Sequence, residues 1–283
     1  MSSKADLQYI QKVARGAGKI ALKHYGKVER LTKTHQAASA EAVTIADRAS
    51  QHYIVQELRK RFPHDGMIGE ENETGDDITF ECPDLNGRVW VIDPIDGTNN
   101  FVGGFEYFAV CIGLLEKGKP VLGVVYDLYH DRMYAAAKGE GASVNGRPIR
   151  CLTTPMDEQS LLIITANFLN KNGELPAYAC RWLGQAKWKI RCLGSAALDI
   201  MQVAAGIAKG AVTVNGKLWD VVAPAAVLLE AGGKLSTPEG KAIFPFDLRD
   251  YSGAKVPFLA AAPKAQATLL AEIADRTPPK LIR

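Results

Sequence analysis

A marked excess of either basic or acidic residues is missing from this sequence: 34 Lys+Arg stand against 31 Asp+Glu, a net charge of +3 over 283 residues. The densest basic run, Arg59-Lys60-Arg61, closes a predicted helix and suits its C-terminal dipole, so no block is left to track a phosphate backbone. That argues against nucleic-acid binding as the main task. Long apolar runs are also absent. The longest, Val221 to Leu229, is broken by Pro224 and is under half of the roughly 20 residues a membrane span needs. The opening Met-Ser-Ser-Lys-Ala-Asp-Leu-Gln has no apolar core of a signal peptide. The cysteines Cys82, Cys111, Cys151, Cys180 and Cys192 include no Cys-x-x-Cys pair and read as buried thiols of a reducing compartment. A soluble, cytoplasmic chain with no membrane partner is expected.

Several catalytic signatures are lacking too. There is no Gly-x-x-x-x-Gly-Lys-Ser/Thr loop, no Gly-x-Ser-x-Gly elbow and no His-Glu-x-x-His, and Gly139-Glu-Gly141 lacks the third glycine of a dinucleotide loop. The histidines (His24, His35, His52, His64, His130) are scattered, which argues against zinc. What remains is an ordinary globular mixture, 47% hydrophobic and 23% charged, long enough to bury a core without staples.

Apolar spacing predicts a helix from Ala5 to Tyr25 with Gly26 as its stop. A polar, mobile stretch follows from Lys27 to Glu41. A second helix is predicted from Thr44 to Arg61, turning Ala46, Ala49, Tyr53 and Leu58 inward and ending before Pro63. Strands follow: Arg88–Ile92 ending at Asp93-Pro94, Phe108–Leu115, a turn at Gly118-Lys-Pro120, Val121–Tyr129, a tip at His130-Asp131, Arg132–Ala137, and a tight turn at Asn145-Gly146. Beyond Cys151, strands (161–165, 211–214) alternate with helices (196–208, 220–231, 265–276). The pattern predicts an α/β protein with α+β mixed sheets, one unit over residues 1–283 built of lobes 1–150 and 151–283.

The most informative string is Trp90-Val-Ile-Asp93-Pro94-Ile95-Asp96-Gly97-Thr98. A buried strand delivers two carboxylates at its exit, and Pro94 forces a sharp turn between them. Such a turn can aim both carboxylates and the Ile95 carbonyl at one point, the donor set of a hard cation such as Mg2+. Gly97 lets backbone amides approach an anion, and Thr98 adds a hydroxyl. Asp-Pro and Asp-Gly are also ordinary turn chemistry. Two aspartates after a buried strand, with Gly-Thr behind them, favour a site. Alone, Glu70-Glu71 reads more as a solvated charged turn than as a site, Asp220 is explained as a helix cap, and Asp47 as part of a capping box with Thr44. The Asp-x-x-Asp spacing differs from the Asp-x-Asp of aspartyl-phosphate phosphatases, so no covalent aspartyl intermediate is expected.

Taken in order, Val43-Thr-Ile-Ala-Asp47, Ile68-Gly-Glu-Glu71, Trp90–Thr98 with Asn99-Asn-Phe-Val102, the hairpin Lys138–Ile149 and Leu218-Trp-Asp220 resemble the inositol monophosphatase family of lithium-sensitive, Mg2+-dependent phosphatases. The resemblance spans about residues 5 to 265. It implies a layered αβαβα sandwich and a homodimer. It implies that Asp93 bridges two Mg2+ ions, with Glu70 and the Ile95 carbonyl completing one, Asp96 and Asp220 the other, and Glu70 reaching a third, weaker ion. Asp47 and Thr98 would orient and help deprotonate the attacking water, Gly97 and Thr98 amides would hold phosphate, and the loop around Lys33 would close over the metals. Ser195-Ala196 resembles the substrate-side loop, where it either bonds the alcohol or caps the following helix. Thr213 falls where inositol-specific members carry a glutamate. The expected reaction is direct hydrolysis of a small phosphate monoester, inositol monophosphate first. Alternatives are 3′-phosphoadenosine 5′-phosphate, histidinol phosphate or fructose 1,6-bisphosphate, with Lys217 or Arg191 as added cations for a bisphosphate. A scaffold that kept the fold and lost turnover is the alternative from another class.

Overall fold

The computed structural model describes residues 4–25, 31–32, 42–43, 45–71, 79–82, 84, 86–165, 173–184, 187–249, 251–275 and 277. Gly26, Thr44, Arg276 and most of the 27–41 stretch, Lys33 included, lie outside them.

Helix α1 (Lys4–Leu22) buries Ile10, Val13, Ala14, Ala17 and Ala21 along one stripe. Strands β1 (Leu31–Thr32) and β2 (Ala42–Val43) pair antiparallel. Helix α2 (Ile45–Arg61) buries Ala46, Ser50, Ile54 and Leu58 in steps of four, with Asp47 and Gln51 alongside. Ala49 and Tyr53, expected inward, are only half-buried. The buried stripe runs through 46, 50, 54 and 58, and beside it Ser50 bonds the Pro94 carbonyl and Gln51 the backbone of Glu71, so polar side chains take the place expected for Ala49 and Tyr53. At its other end Arg59, Lys60 and Arg61 are spent on Glu81, Glu57 and Asp6 at 2.5, 2.6 and 2.9 Å.

Eight strands form the large mixed sheet: β3 (Gly66–Gly69), β4 (Thr79–Glu81), β5 (Arg88–Asp96), β6 (Ala109–Glu116), β7 (Lys119–Asp127), β8 (Arg132–Ala137), β9 (Ala142–Val144) and β10 (Arg147–Ile149), in the order 10-9-8-7-6-5-3-4. Among the described residues of this sheet only β3 and β5 run parallel. The short helix α3 (Thr98–Gly103) links β5 to β6. Strand β5 is buried on both faces, Trp90 and Ile92 toward α1 and α2, Val89 and Val91 toward the opposite core. It does not stop at Asp93-Pro94 as expected but runs on to Asp96. Its register against β6 shifts between Asp93 and Asp96, and at that irregularity a proline costs no ladder bond. The β6–β7 turn is Lys117-Gly118, with positive φ at both, so Pro120 lies inside β7. Asn145-Gly146 makes the expected tight turn, φ 48° and 76°.

The second sheet combines β11 (Leu161–Ile164), β12 (Lys189–Arg191), β13 (Gly210–Thr213), β14 (Lys234–Ser236) and β15 (Phe258–Ala261) in the order 12-11-13-15-14, the first three parallel. Helices α4 (Ala177–Gly184), α5 (Ala196–Ala204), α6 (Leu218–Glu230) and α7 (Gln266–Ala274) complete the chain. Helices α1 and α2 cover one face of the large sheet, α5 and α6 lie between the sheets, and α4 and α7 cover the second sheet. This is the five-layer mixed α/β sandwich.

Two glycines set the spacing of the middle layer. A Cβ at Gly123 would stand 2.1 Å from the Ala223 carbonyl oxygen, and one at Gly113 2.6 Å from the Ala223 nitrogen. Helix α6 therefore rests directly on β6 and β7, which fixes Asp220 one turn upstream. The reading of the cysteines as buried thiols holds for Cys111 and Cys151 but fails for Cys192, which is exposed; all five are free. Among the described residues no helix is long and apolar enough to cross a membrane.

Candidate active site

Because β3 and β5 are parallel neighbours, their C-terminal ends open at the same edge, where ligands of such sheets collect. Glu70 follows β3; Asp93, Ile95 and Asp96 end β5. Across from them stand the first turn of α6 with Asp220, the start of α5 with Ala196, and Thr213 at the end of β13. Asp93, Asp96 and Asp220 each place a carboxylate oxygen within 4.8 Å of the others'. Glu70, Ile95, Gly97, Thr98, Ala196 and Thr213 line the same cleft, which holds about 100 Å³ of free space.

The local bonds explain the aim of each group. Asp93 Oδ1 accepts the Ile95 amide at 2.9 Å, folding the turn back on its own carboxylate. Thr98 Oγ1 donates to the Ile95 carbonyl at 2.9 Å. Gly97 has φ 87°, and a Cβ there would meet the Tyr107 carbonyl oxygen at 3.0 Å and Ser195 Cβ at 3.2 Å, so only glycine fits. The start of α5 cradles Asp96: the Ala196 and Ala197 amides donate to it at 3.2 and 2.9 Å, and the Ser195 hydroxyl donates as well. Asp220 Oδ2 accepts the Lys217 amide at 2.8 Å, closing the N-terminus of α6. Asp47, buried in the first turn of α2, lies close enough for its charge to act on Asp93.

Burial holds the Asp93 carboxyl above its ordinary range, and the charges of Glu70, Asp96, Asp220 and Asp47 push the same way. A buried group of mutually repelling oxygens, with a backbone carbonyl beside it, is the donor set of hard divalent cations. The residues present fit such ions.

Sequence reasoning pointed to Glu70, Asp93, Ile95, Asp96, Gly97, Thr98, Ala196, Thr213 and Asp220, and these line one cleft. Ser195 is a correction. Its side chain has no exposed surface; it caps α5, accepting the Leu198 amide at 3.3 Å, and its hydrogen goes to Asp96, so the capping reading replaces substrate binding. Lys217 and Arg191 do not line the cleft: the Lys217 ammonium bonds the Gly253 carbonyl, and Arg191 bonds the Ile190 carbonyl at 2.9 Å. Asn99, Thr165 and Asn215 line it unannounced. Gln51 is a further omission, its amide clamping both backbone groups of Glu71 and so fixing the chain behind Glu70. Its place four residues after Asp47 on the α2 face was the only signal.

The model of the inositol monophosphatase family matches residues 4–277. The inositol-1-monophosphatase of Bacillus subtilis is 34% identical, over 75% of this chain and 78% of its own. The extragenic suppressor protein suhB of Bartonella henselae superposes with a TM-score of 0.82 at 28% identity, covering 97% of this chain and 100% of that one. An IMPase/NADP phosphatase complexed with NADP and Ca2+ superposes with a TM-score of 0.77 at 26% identity, over 96% and 97%. The chain belongs to the inositol monophosphatase family, and by that membership it is a phosphatase.

Proposed function

We propose that this family member hydrolyses a small phosphate monoester with the help of Mg2+, inositol monophosphate being the first candidate. The observation that carries the reading is the convergence of Asp93, Asp96 and Asp220 beside the Gly97–Thr98 turn. Asp93 would be shared by two ions, Glu70 and the Ile95 carbonyl serving one, Asp96 and Asp220 the other, with Glu70 in reach of a third. When bound, such ions neutralise the attacking and leaving oxygens of an in-line displacement and lower the pKa of water.

The chain's own groups do the rest. Thr98 gives its hydroxyl hydrogen to Ile95, which leaves its lone pairs to accept a hydrogen from water. Asp47 and Thr98 orient that water, and the Asp47 carboxylate takes the proton it gives up. The Gly97 and Thr98 amides bind phosphate oxygens at the start of α3. The water oxygen bonds to phosphorus, the phosphorus–alcohol bond breaks, and the departing alkoxide takes up a proton from solvent water. Phosphoryl transfer asks for positioning and charge, with little covalent work by the protein.

On the leaving-group side, Thr165 and Thr213, whose hydroxyls donate to the Val212 carbonyl and to Asn215 Oδ1, keep lone pairs that can accept from a polyol, and the Asn215 amide lies beside them. With Lys217 and Arg191 turned elsewhere, a monophosphate is favoured over a bisphosphate. A homodimer, lithium inhibition and a cytoplasmic location extend the same reading from the family. The test is phosphate release from inositol monophosphate, 3′-phosphoadenosine 5′-phosphate, histidinol phosphate and fructose 1,6-bisphosphate, with and without EDTA. The highest kcat/KM is expected for inositol monophosphate; a preference for the bisphosphate would overturn the leaving-group assignment.

A further inference from the structure

Behind the cleft a closed ring of hydrogen bonds surrounds the Asp96–Gly97–Thr98 turn. Tyr107, between α3 and β6, donates its hydroxyl hydrogen to Asp199 Oδ1 of α5 at 3.0 Å. Gln202, one turn along α5, bonds the same hydroxyl. The main-chain carbonyl of Tyr107 accepts Asn100 Nδ2 at 2.8 Å, and that Nδ2 also reaches the Leu193 carbonyl at 2.7 Å. From Leu193 the chain passes through Gly194 to Ser195, the cap of α5, and α5 leads back to Asp199.

The ring ties two things together. Helix α5 holds the Asp96 carboxylate through its cap and first amides. Tyr107 in turn holds α5 at one end and, at the other, its carbonyl stands against Gly97, where a Cβ would come within 3.0 Å. Asp199 has no evident purpose apart from Tyr107. It is fully buried, and its Oδ2 has no hydrogen-bond partner among the described residues. A carboxyl is a costly choice for such a place, where leucine would bring no unsatisfied polar atom of its own. Burial pushes the Asp199 carboxyl up, and burial together with Asp199 pushes the Tyr107 hydroxyl up, so Tyr107 keeps its hydrogen and donates it.

We propose that Tyr107, anchored by Asp199, is a positioning residue for the hydrolysis: it fixes the N-terminus of α5 against the Gly97 turn and so sets where the Asp96 carboxylate stands toward cation and phosphate. This rests on the phosphatase reading of the cleft.

The experiment uses the full chain and Mn2+ as probe, its binding followed by electron paramagnetic resonance without substrate. Steady-state kinetics and metal-free thermal unfolding accompany it. Groups that support metal ligands are typically worth about 10–100-fold in affinity or activity. Tyr107→Phe is expected to weaken Mn2+ binding and lower kcat by about tenfold, with KM and the metal-free unfolding temperature little changed. Asp199→Asn keeps a carbonyl that accepts the tyrosine hydrogen and should retain both properties. Asp199→Leu should behave as Tyr107→Phe. Wild-type Mn2+ affinity and kcat in Tyr107→Phe, or in Asp199→Leu, would overturn the proposal. So would a lowered metal-free unfolding temperature with Mn2+ binding intact, which marks a structural bond alone. If wild type binds Mn2+ yet releases no phosphate from any substrate, the phosphatase reading fails, while the Mn2+ comparison still decides the role of Tyr107.

Discussion

Burial sets Asp93 against its neighbours. The folded chain, with its carboxyl above the ordinary range, holds that proton more tightly than the unfolded chain does. This contribution to stability is therefore whole below the unfolded carboxylate pKa of about 3.9 and is lost as pH rises through the raised folded value. Metal-free protein should melt at lower temperature as pH climbs from mildly acidic to neutral. Asp93→Asn should show a shallower slope and melt higher at neutral pH while its turnover falls by about 1,000-fold or more, the loss of several kcal/mol of charge stabilisation. Calorimetry across pH checks this, and equal slopes in both proteins would contradict it. At this scale the candidate ligands Asp93 and Asp96 stand out because two aspartates, a proline and a glycine sit within one short string, whereas Glu70 and Asp220 each read as well as a turn or a cap. Ser195 was not decidable, since the same hydroxyl serves a cap or a substrate, and only its burial separates the two. Gln51, Asn100 and Asp199 act on residues far along the chain, through contacts that no local pattern announces.

Elements carry the residues to one place, and their packing is as consequential as the ligands. Gly123 lets α6 touch β7. Gly123→Val would push the helix outward, with an overpacking cost of about 1–3 kcal/mol, and shift Asp220. Urea unfolding should show that loss together with a higher Mg2+ requirement; normal Mg2+ activation would contradict the view that α6 is placed by this contact. A second case lies away from the cleft. Arg181, only 4% exposed, donates to the Thr277, Glu272 and Asp275 carbonyls at 2.8, 2.6 and 2.9 Å, closing the C-terminus of α7. Arg181→Ala should cost about 3 kcal/mol in urea unfolding and leave kcat unchanged; unaltered stability would sink the capping role. Helix α1 reads well from its spacing, since it buries an apolar stripe, and α6, packed between the sheets, from a nearly continuous apolar run. Strand β5 was read short, because Pro94 signals a break and a register shift that accommodates it leaves no mark in sequence.

The whole molecule divides the labour between layers. The large sheet supplies Glu70, Asp93 and Asp96, and the helical layer between the sheets supplies Asp220 and the cradle of Asp96. Cations that bind there hold the two together, so they stabilise the fold by mass action, about 2.7 kcal/mol at a concentration of 100 Kd. Mg2+ should raise the unfolding temperature of wild type and leave Asp93→Asn unmoved; a shift of equal size in both would place the ions elsewhere. The layered α/β class was legible from the strands and helices alone, whereas the order of strands in each sheet follows from long-range pairing and was not. The most direct measurement is phosphate release from inositol monophosphate by wild type and Asp93→Asn, each with Mg2+ and with EDTA. Release by wild type with Mg2+ alone is the predicted result. Release that persists in EDTA, or in the Asn variant with Mg2+, would contradict hydrolysis at this carboxylate cluster.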